Sequence, residues 1–122
     1  LYRMSIVRAR FFELLVAEDA NHHQQEPDSL FLFGLLSLLH VMLDVEMKQL
    51  LPFLPLPEPL AQGLGNSSSH FNHYLKLSEA IETANTAAIT SHATALKLEE
   101  HVISAAWREA MLWGNEVEQQ AS

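Results

Sequence analysis

Apolar residues recur at intervals of three and four along most of the chain, which is the spacing that places them on one face of an α-helix. No stretch alternates apolar and polar residues between turn signals, as a half-buried strand would. The sequence therefore predicts an all-α fold. The spacing predicts helices over residues 1–18, 45–51, 58–62, 70–84, 87–96 and 99–119.

The most apolar stretch is residues 30–43, LFLFGLLSLLHVML. It is apolar on nearly all sides, which is typical of a helix in the centre of a fold. Its 14 residues fall short of the about 20 that a helix needs to cross a bilayer. We therefore predict an irregular bundle of six or seven helices around a central helix at about residues 29–43, with no membrane partner. His40 is expected to be a hydrogen-bonded core histidine.

Four prolines between residues 52 and 59 interrupt the helical pattern. Proline has no backbone N–H and disfavours a helical conformation in the residue before it, so this segment is predicted to be extended. We expect Phe53, Leu54 and Leu56 to point inward and anchor it. On this interpretation residues 1–122 form one domain, and the prolines do not mark a domain linker.

The first helix carries more apolar residues than one contact with the core needs, because Tyr2, Met4, Phe12 and Leu15 are spread around it. Two interpretations of this excess are open. The side chains enter a thick core, or they form an interface with another part of the protein or with a partner subunit. The chain also opens with Leu1 and lacks an initiator Met, so we expect it to be a fragment of a longer protein.

The charge balance narrows the choice of partner. Seven Lys and Arg against fifteen Asp and Glu give a net charge of −8, which argues against nucleic acid or an anionic membrane as the main partner. The chain has no cysteine, which excludes a disulfide framework and a cysteine-based zinc site.

Histidine is abundant enough for metal binding to be considered. The seven histidines stand at positions 22, 23, 40, 70, 73, 92 and 101. His70 and His73 are three residues apart and share a helix face, but the chain has no HExxH motif and no His followed by Asp. It also lacks the nucleophile and phosphate-binding motifs GxSxG, GxxxxGK and GxGxxG. We assign no catalytic residue, no metal ligand and no cofactor.

Polar residues within apolar helices are more informative about packing than the histidines are. Arg8, Arg10, Glu13 and Ser37 interrupt the two most apolar helices. Arg10 and Glu13 are three residues apart and can pair along one helix face. Where such groups are buried they need partners, so we expect a structural role, fixing how the first helix docks on the central one.

Several segments resemble HDOD domains, the HD-related output domains of bacterial signalling proteins. Residues 8–15, RARFFELL, resemble the "RARFCE-LA" helix of these domains, and residues 31–39, FLFGLLSLL, are similar to their "FLxGLLSLLD" helix. Residues 47–56 are similar to the segment that follows, and Ala110-x-x-Trp113 resembles the closing "Y-x-x-A-x-x-W" helix. The resemblance runs in order over nearly the whole chain.

The resemblance departs from the family pattern at His40, where HDOD domains have Asp, and residues 85–98 are hard to align. HDOD domains look like all-α relatives of the HD phosphohydrolases that have lost the metal-binding His and Asp set. The residues singled out on structural and motif grounds are Arg8, Arg10, Glu13, Gly34, Ser37 and Trp113.

The resemblance implies the C-terminal part of an HDOD region, best matched in proteins that carry an EAL-type cyclic di-GMP phosphodiesterase domain before it. It implies a non-catalytic regulatory or protein-interaction module of a cytoplasmic bacterial signal transduction protein. The partners expected are the upstream domain of the same protein, another signalling protein or a second copy of the chain. The alternative is a metal-dependent phosphohydrolase of the HD type that uses some of the seven histidines.

Overall fold

The computed structural model describes residues 2–20 and 25–121, and every regular element in these ranges is helical. The predicted all-α bundle is confirmed, with six helices of eight or more residues. The α-helices are α1 (Tyr2–Val16), α2 (Pro27–Leu36), α3 (Leu39–Leu43), α4 (Met47–Leu50), α5 (Glu58–Gly65), α6 (Asn72–Glu82), α7 (Thr86–Leu96) and α8 (Glu100–Ala121). A 3₁₀ helix, Leu51–Phe53, follows α4.

Helix α1 lies at the centre of the bundle, between α2 on one side and α8 on the other. Nine of its fifteen residues are buried. Helices α6 and α7 form a second pair, and α5 packs on α6. Aromatic rings connect the two groups, because Phe12 of α1 contacts Phe33 of α2 and Tyr74 of α6 with ring centroids 5.5 and 5.6 Å apart. The core is thus shared by all the longer helices.

The apolar run predicted as one helix forms two, because the chain turns at Ser37 and Leu38. The Ser37 hydroxyl donates to the Gly34 carbonyl oxygen at 2.7 Å and so satisfies a carbonyl at the end of α2. Helix α2 buries Leu30, Phe33 and Gly34, whereas α3 buries none of its residues. Only the first half of the run therefore belongs to the core.

No single helix in the described ranges is long and apolar enough to cross a membrane. The pair formed by Pro27–Leu43 and Met47–Phe53 meets the length and composition requirement together, but it is bent by 115°.

The proline-rich segment is anchored as predicted by Leu54 and Leu56, which pack against the core. The expectation for Phe53 was wrong, because its side chain is 82% exposed. Residues three apart in a 3₁₀ helix lie on the same side, and here Leu51 and Leu54 both face the core. Phe53 lies between them in sequence and therefore points away from it.

Of the two interpretations of the apolar excess on α1, entry into the core is confirmed for Phe12 and Leu15, which are fully buried. Met4 packs against the core as well, and Tyr2 alone of this set is largely exposed. The reason is that α1 is covered on two sides, by α2 and by α8. A helix between two others needs apolar residues on both faces.

Gly34 allows α1 and α2 to touch through their backbones. A Cβ atom at this position would lie 2.7 Å from the Cα and N atoms of Ala9, closer than atoms can approach without movement of one helix. Ala9 is itself fully buried. Two small residues therefore set the distance between these helices.

We expect Gly34→Ala to lower the free energy of unfolding by about 2–3 kcal/mol, because the added methyl group forces α1 and α2 apart. Urea denaturation followed by circular dichroism measures this. Gly65→Ala is the matched control, since its Cβ would meet only the flexible end of the Leu51 side chain and should change stability by less than about 1 kcal/mol. Equal stability of the two variants would contradict the close backbone contact.

Candidate functional site

The Arg8 guanidinium is buried where α1 meets the ends of α2 and α6. Its Nε and Nη2 donate to the two carboxylate oxygens of Glu82 at 2.8 and 2.9 Å, a bidentate ion pair. Its Nη1 donates to the Ser37 hydroxyl at 3.2 Å. Sequence analysis singled out Arg8 and Ser37, and the structure places them together. Their third partner, Glu82, was missed, because a glutamate at the end of an amphipathic helix carries no distinguishing signal.

Arg10 and Glu13 form the ion pair expected from their spacing, with Nη1 and Oε1 2.7 Å apart. Arg10 also lies 3.7 Å from Glu109 of α8. Its Nε is buried and has no hydrogen-bond partner among the described residues. Trp113 of α8 packs edge-on against Phe31 of α2, with ring centroids 5.8 Å apart. The Arg10–Glu109 and Trp113–Phe31 contacts join α8 to α1 and α2.

A second buried polar cluster centres on Asp19, which follows α1. Its Oδ2 accepts a hydrogen bond from the Tyr74 hydroxyl at 2.6 Å and lies 2.7 Å from Nε2 of His70. Burial, with the hydrogen bond to Asp19 and its charge, raises the pKa of Tyr74 well above the usual range. The phenol therefore stays neutral and serves as a donor that holds the start of α6 against the end of α1.

The histidines are divided among separate partners. His70 lies in the turn before α6 and contacts Asp19, whereas His73 lies on α6 and contacts His92 of α7 at 2.9 Å, so the predicted shared helix face of His70 and His73 was wrong. His40 is half-buried, and its Nδ1 has no hydrogen-bond partner in the described part of the chain, so the expectation that it is hydrogen-bonded was wrong at that atom. His40 lies on α3, none of whose residues is buried, so it is not a core histidine either.

Among the described residues no group of three or more His, Asp or Glu is placed to hold a metal ion. The predicted histidine pair at positions 22 and 23 lies outside the described residues.

The candidate interaction site is the segment of residues 41–53, which exposes large apolar side chains. These are Val41, Met42, Leu43, Val45 and Phe53. Met47 and Leu51 of the same segment pack against the core and fix it to the bundle. Soluble domains bury most large apolar side chains, so several exposed ones within thirteen residues are typical of a surface that another molecule covers. Asp44 makes this local arrangement possible by ending α3 in the left-handed conformation, with φ of 56°.

Comparison with known proteins finds distant relatives. The chain is 26% identical over 117 residues to the cyclic di-GMP phosphodiesterase CdgJ of Vibrio cholerae, a match that covers 96% of this chain and 27% of CdgJ. It is 28% identical over 85 residues to the uncharacterized protein YuxH of Bacillus subtilis, covering 70% of this chain and 20% of YuxH.

The chain thus spans about a quarter of the length of the curated relatives it matches. No protein-family model matches the sequence, and no solved structure is significantly similar. The comparisons therefore relate the chain distantly to one part of a cyclic di-GMP phosphodiesterase.

Glu82→Ala is expected to lower the free energy of unfolding by about 3 kcal/mol, because it leaves the Arg8 guanidinium buried without its carboxylate. Denaturant unfolding measures the loss. Glu79→Ala is the matched control, since Glu79 lies on the same helix in an exposed pair with Lys76 at 3.6 Å and should contribute about 0–1 kcal/mol. If both variants unfold alike, Arg8 does not connect α1 to α6.

Proposed function

We propose that the chain is a non-catalytic regulatory and protein-interaction module of a bacterial signal transduction protein that acts in cyclic di-GMP signalling. The observation that carries the proposal is the exposed apolar segment, residues 41–53, on a bundle whose buried polar groups connect helices to one another. Phe53 is 82% exposed and Leu43 55% exposed. Binding another protein over this segment would remove these side chains from water.

The relation to CdgJ supports the signalling part of the proposal, because the match extends over 96% of the chain. It covers only 27% of that phosphodiesterase, so the chain would correspond to one portion of such a protein. We infer that this portion regulates and that catalysis, where it is retained, lies in another domain.

At the finer level we propose the C-terminal part of an HDOD domain, preceded by an EAL-type domain, in a cytoplasmic protein. The motif residues support this through their packing, since Gly34 and Ser37 lie against Arg8 at the contact between α1 and α2. The partner proposed for the segment 41–53 is the upstream domain of the same protein. The other expected partners, another signalling protein or a second copy of the chain, would bind at the same apolar surface.

The double variant Leu43→Ser Phe53→Ser, made in the whole natural protein, is expected to abolish most of its effect on the cellular cyclic di-GMP concentration. The reason is that both anchors of the interaction surface are lost. Cyclic di-GMP is measured in extracts of cells that express each variant at equal abundance.

The control for this experiment is Leu112→Ser, which removes from α8 a side chain that is 59% exposed, close to the 55% of Leu43. It lies outside the segment 41–53 and should leave the effect unchanged. If the double variant acts like the wild-type protein, the segment is not the interaction surface. If the wild-type protein and both variants all lack an effect on cyclic di-GMP, the signalling assignment fails instead.

The competing proposal is a metal-dependent phosphohydrolase of the HD type. Purified without an affinity tag, the chain is expected to contain no stoichiometric transition metal and to release no product from cyclic di-GMP in the presence of Mn²⁺. Elemental analysis and chromatography of the reaction mixture measure the two quantities. One metal ion per chain together with metal-dependent turnover would establish the enzyme in place of the regulatory module.

A further inference from the structure

A histidine pair joins α6 to α7. The Nδ1 atoms of His73 and His92 are 2.9 Å apart, and the ring centroids are 5.2 Å apart. These distances place both nitrogens between the rings, close to the line that joins them. That is the geometry of a direct N–H···N hydrogen bond. A metal ion held by both rings would require the two lone pairs to converge on a third point.

Such a bond depends on how many protons the pair carries. In the neutral pair one Nδ1–H donates to the other Nδ1, and a single added proton keeps one donor and one acceptor. When both imidazoles are protonated, each nitrogen is a donor and the two rings are positively charged. The hydrogen bond is then lost, and the charges repel each other across a few ångströms.

The described residues around the pair supply no ion-pair partner for a second positive charge on it. Burial, followed by the imidazoles of His92 and His70, lowers the pKa of His73 below its ordinary value. In the described chain no carboxylate forms an ion pair with His73 or His92. The groove beside His92 is lined by Lys76 and Glu79, which pair with each other at 3.6 Å.

Carboxylates on the neighbouring helices accept hydrogen bonds from other side chains. Glu100 of α8, which packs on α7, accepts a hydrogen bond from Thr90 at 3.4 Å. Glu58 of α5, which packs on α6, accepts one from Gln62 at 3.2 Å. The closest acid to His70, Asp19, is bound to Tyr74. A doubly protonated His73–His92 pair would therefore stand without a counter-ion from these groups.

We propose that the His73–His92 pair is a pH-sensitive contact that holds α7 against α6 above about pH 6.5 and releases it as the pH falls. The direction of this pH effect follows from the linkage between proton binding and stability. Below this pH the unfolded or opened state binds more protons than the closed state, so stability present at neutral pH is lost on acidification. Helix α7 buries only Ala93 and Leu96, so few apolar contacts oppose its release.

The test is hydrogen exchange of the α7 amides in the 122-residue chain, expressed as protection factors at about pH 7.5 and about pH 5.0. In the wild-type chain protection of α7 is expected to fall by about tenfold more than that of α1, which corresponds to one pKa unit. In His92→Asn the amide reaches the position of Nδ1 but does not titrate, so the difference between α7 and α1 should disappear.

His73→Asn serves as the second variant, should His92→Asn alter the helix, and is expected to behave in the same way. His101→Asn is the control, because His101 is exposed and pairs with Glu99 at 3.2 Å. It should retain the wild-type response. The proposal is overturned if the wild-type α7 shows no selective loss of protection, or if the asparagine variants at 73 and 92 keep it in full.

Discussion

The Arg8 guanidinium occupies the point where α1, the end of α2 and the end of α6 meet, and the arrangement of the bundle depends on its partners. A buried guanidinium without a carboxylate is strongly unfavourable, so the fold must bring Glu82 to it from a position 74 residues away in sequence. The close contact at Gly34 lets α2 come near enough for Ser37 to complete the set. The Arg8 side chain thereby joins the central helix α1 to the ends of both α2 and α6.

The requirement that a buried charge has a partner also explains why polar groups inside the bundle are poor candidates for catalysis. Arg8 and Asp19 each bind side chains of other helices, which leaves their charges committed to holding α1 against α6. The segment 41–53 differs, because its outer side chains bind nothing in the described structure while Met47 and Leu51 keep it in place. This exposed apolar segment is the feature on which our proposal of an interaction module rests.

Sequence analysis predicted the helices well and their surroundings less well. Spacing located α1, α6, α7 and α8 within a few residues, since periodicity is a local property of the chain. Whether Phe12 or Phe53 is buried depends on which helices pack nearby, and the expectation that Phe53 points inward was wrong. The predicted Arg10–Glu13 pair is present because both residues lie on one helix. The Asp19–Tyr74 contact, 55 residues apart, has no local signal.

The sequence by itself determined the all-α class, the exclusion of cysteine chemistry and the acidic charge that disfavours nucleic acid, because these follow from composition and short-range spacing. Tertiary structure alone decided that the apolar run bends at Ser37, that α1 is the central helix, and that His73 pairs with His92 instead of His70. The physical reason is that burial and hydrogen-bond partners are set by packing between distant segments, whose order in space is not encoded in any single helix.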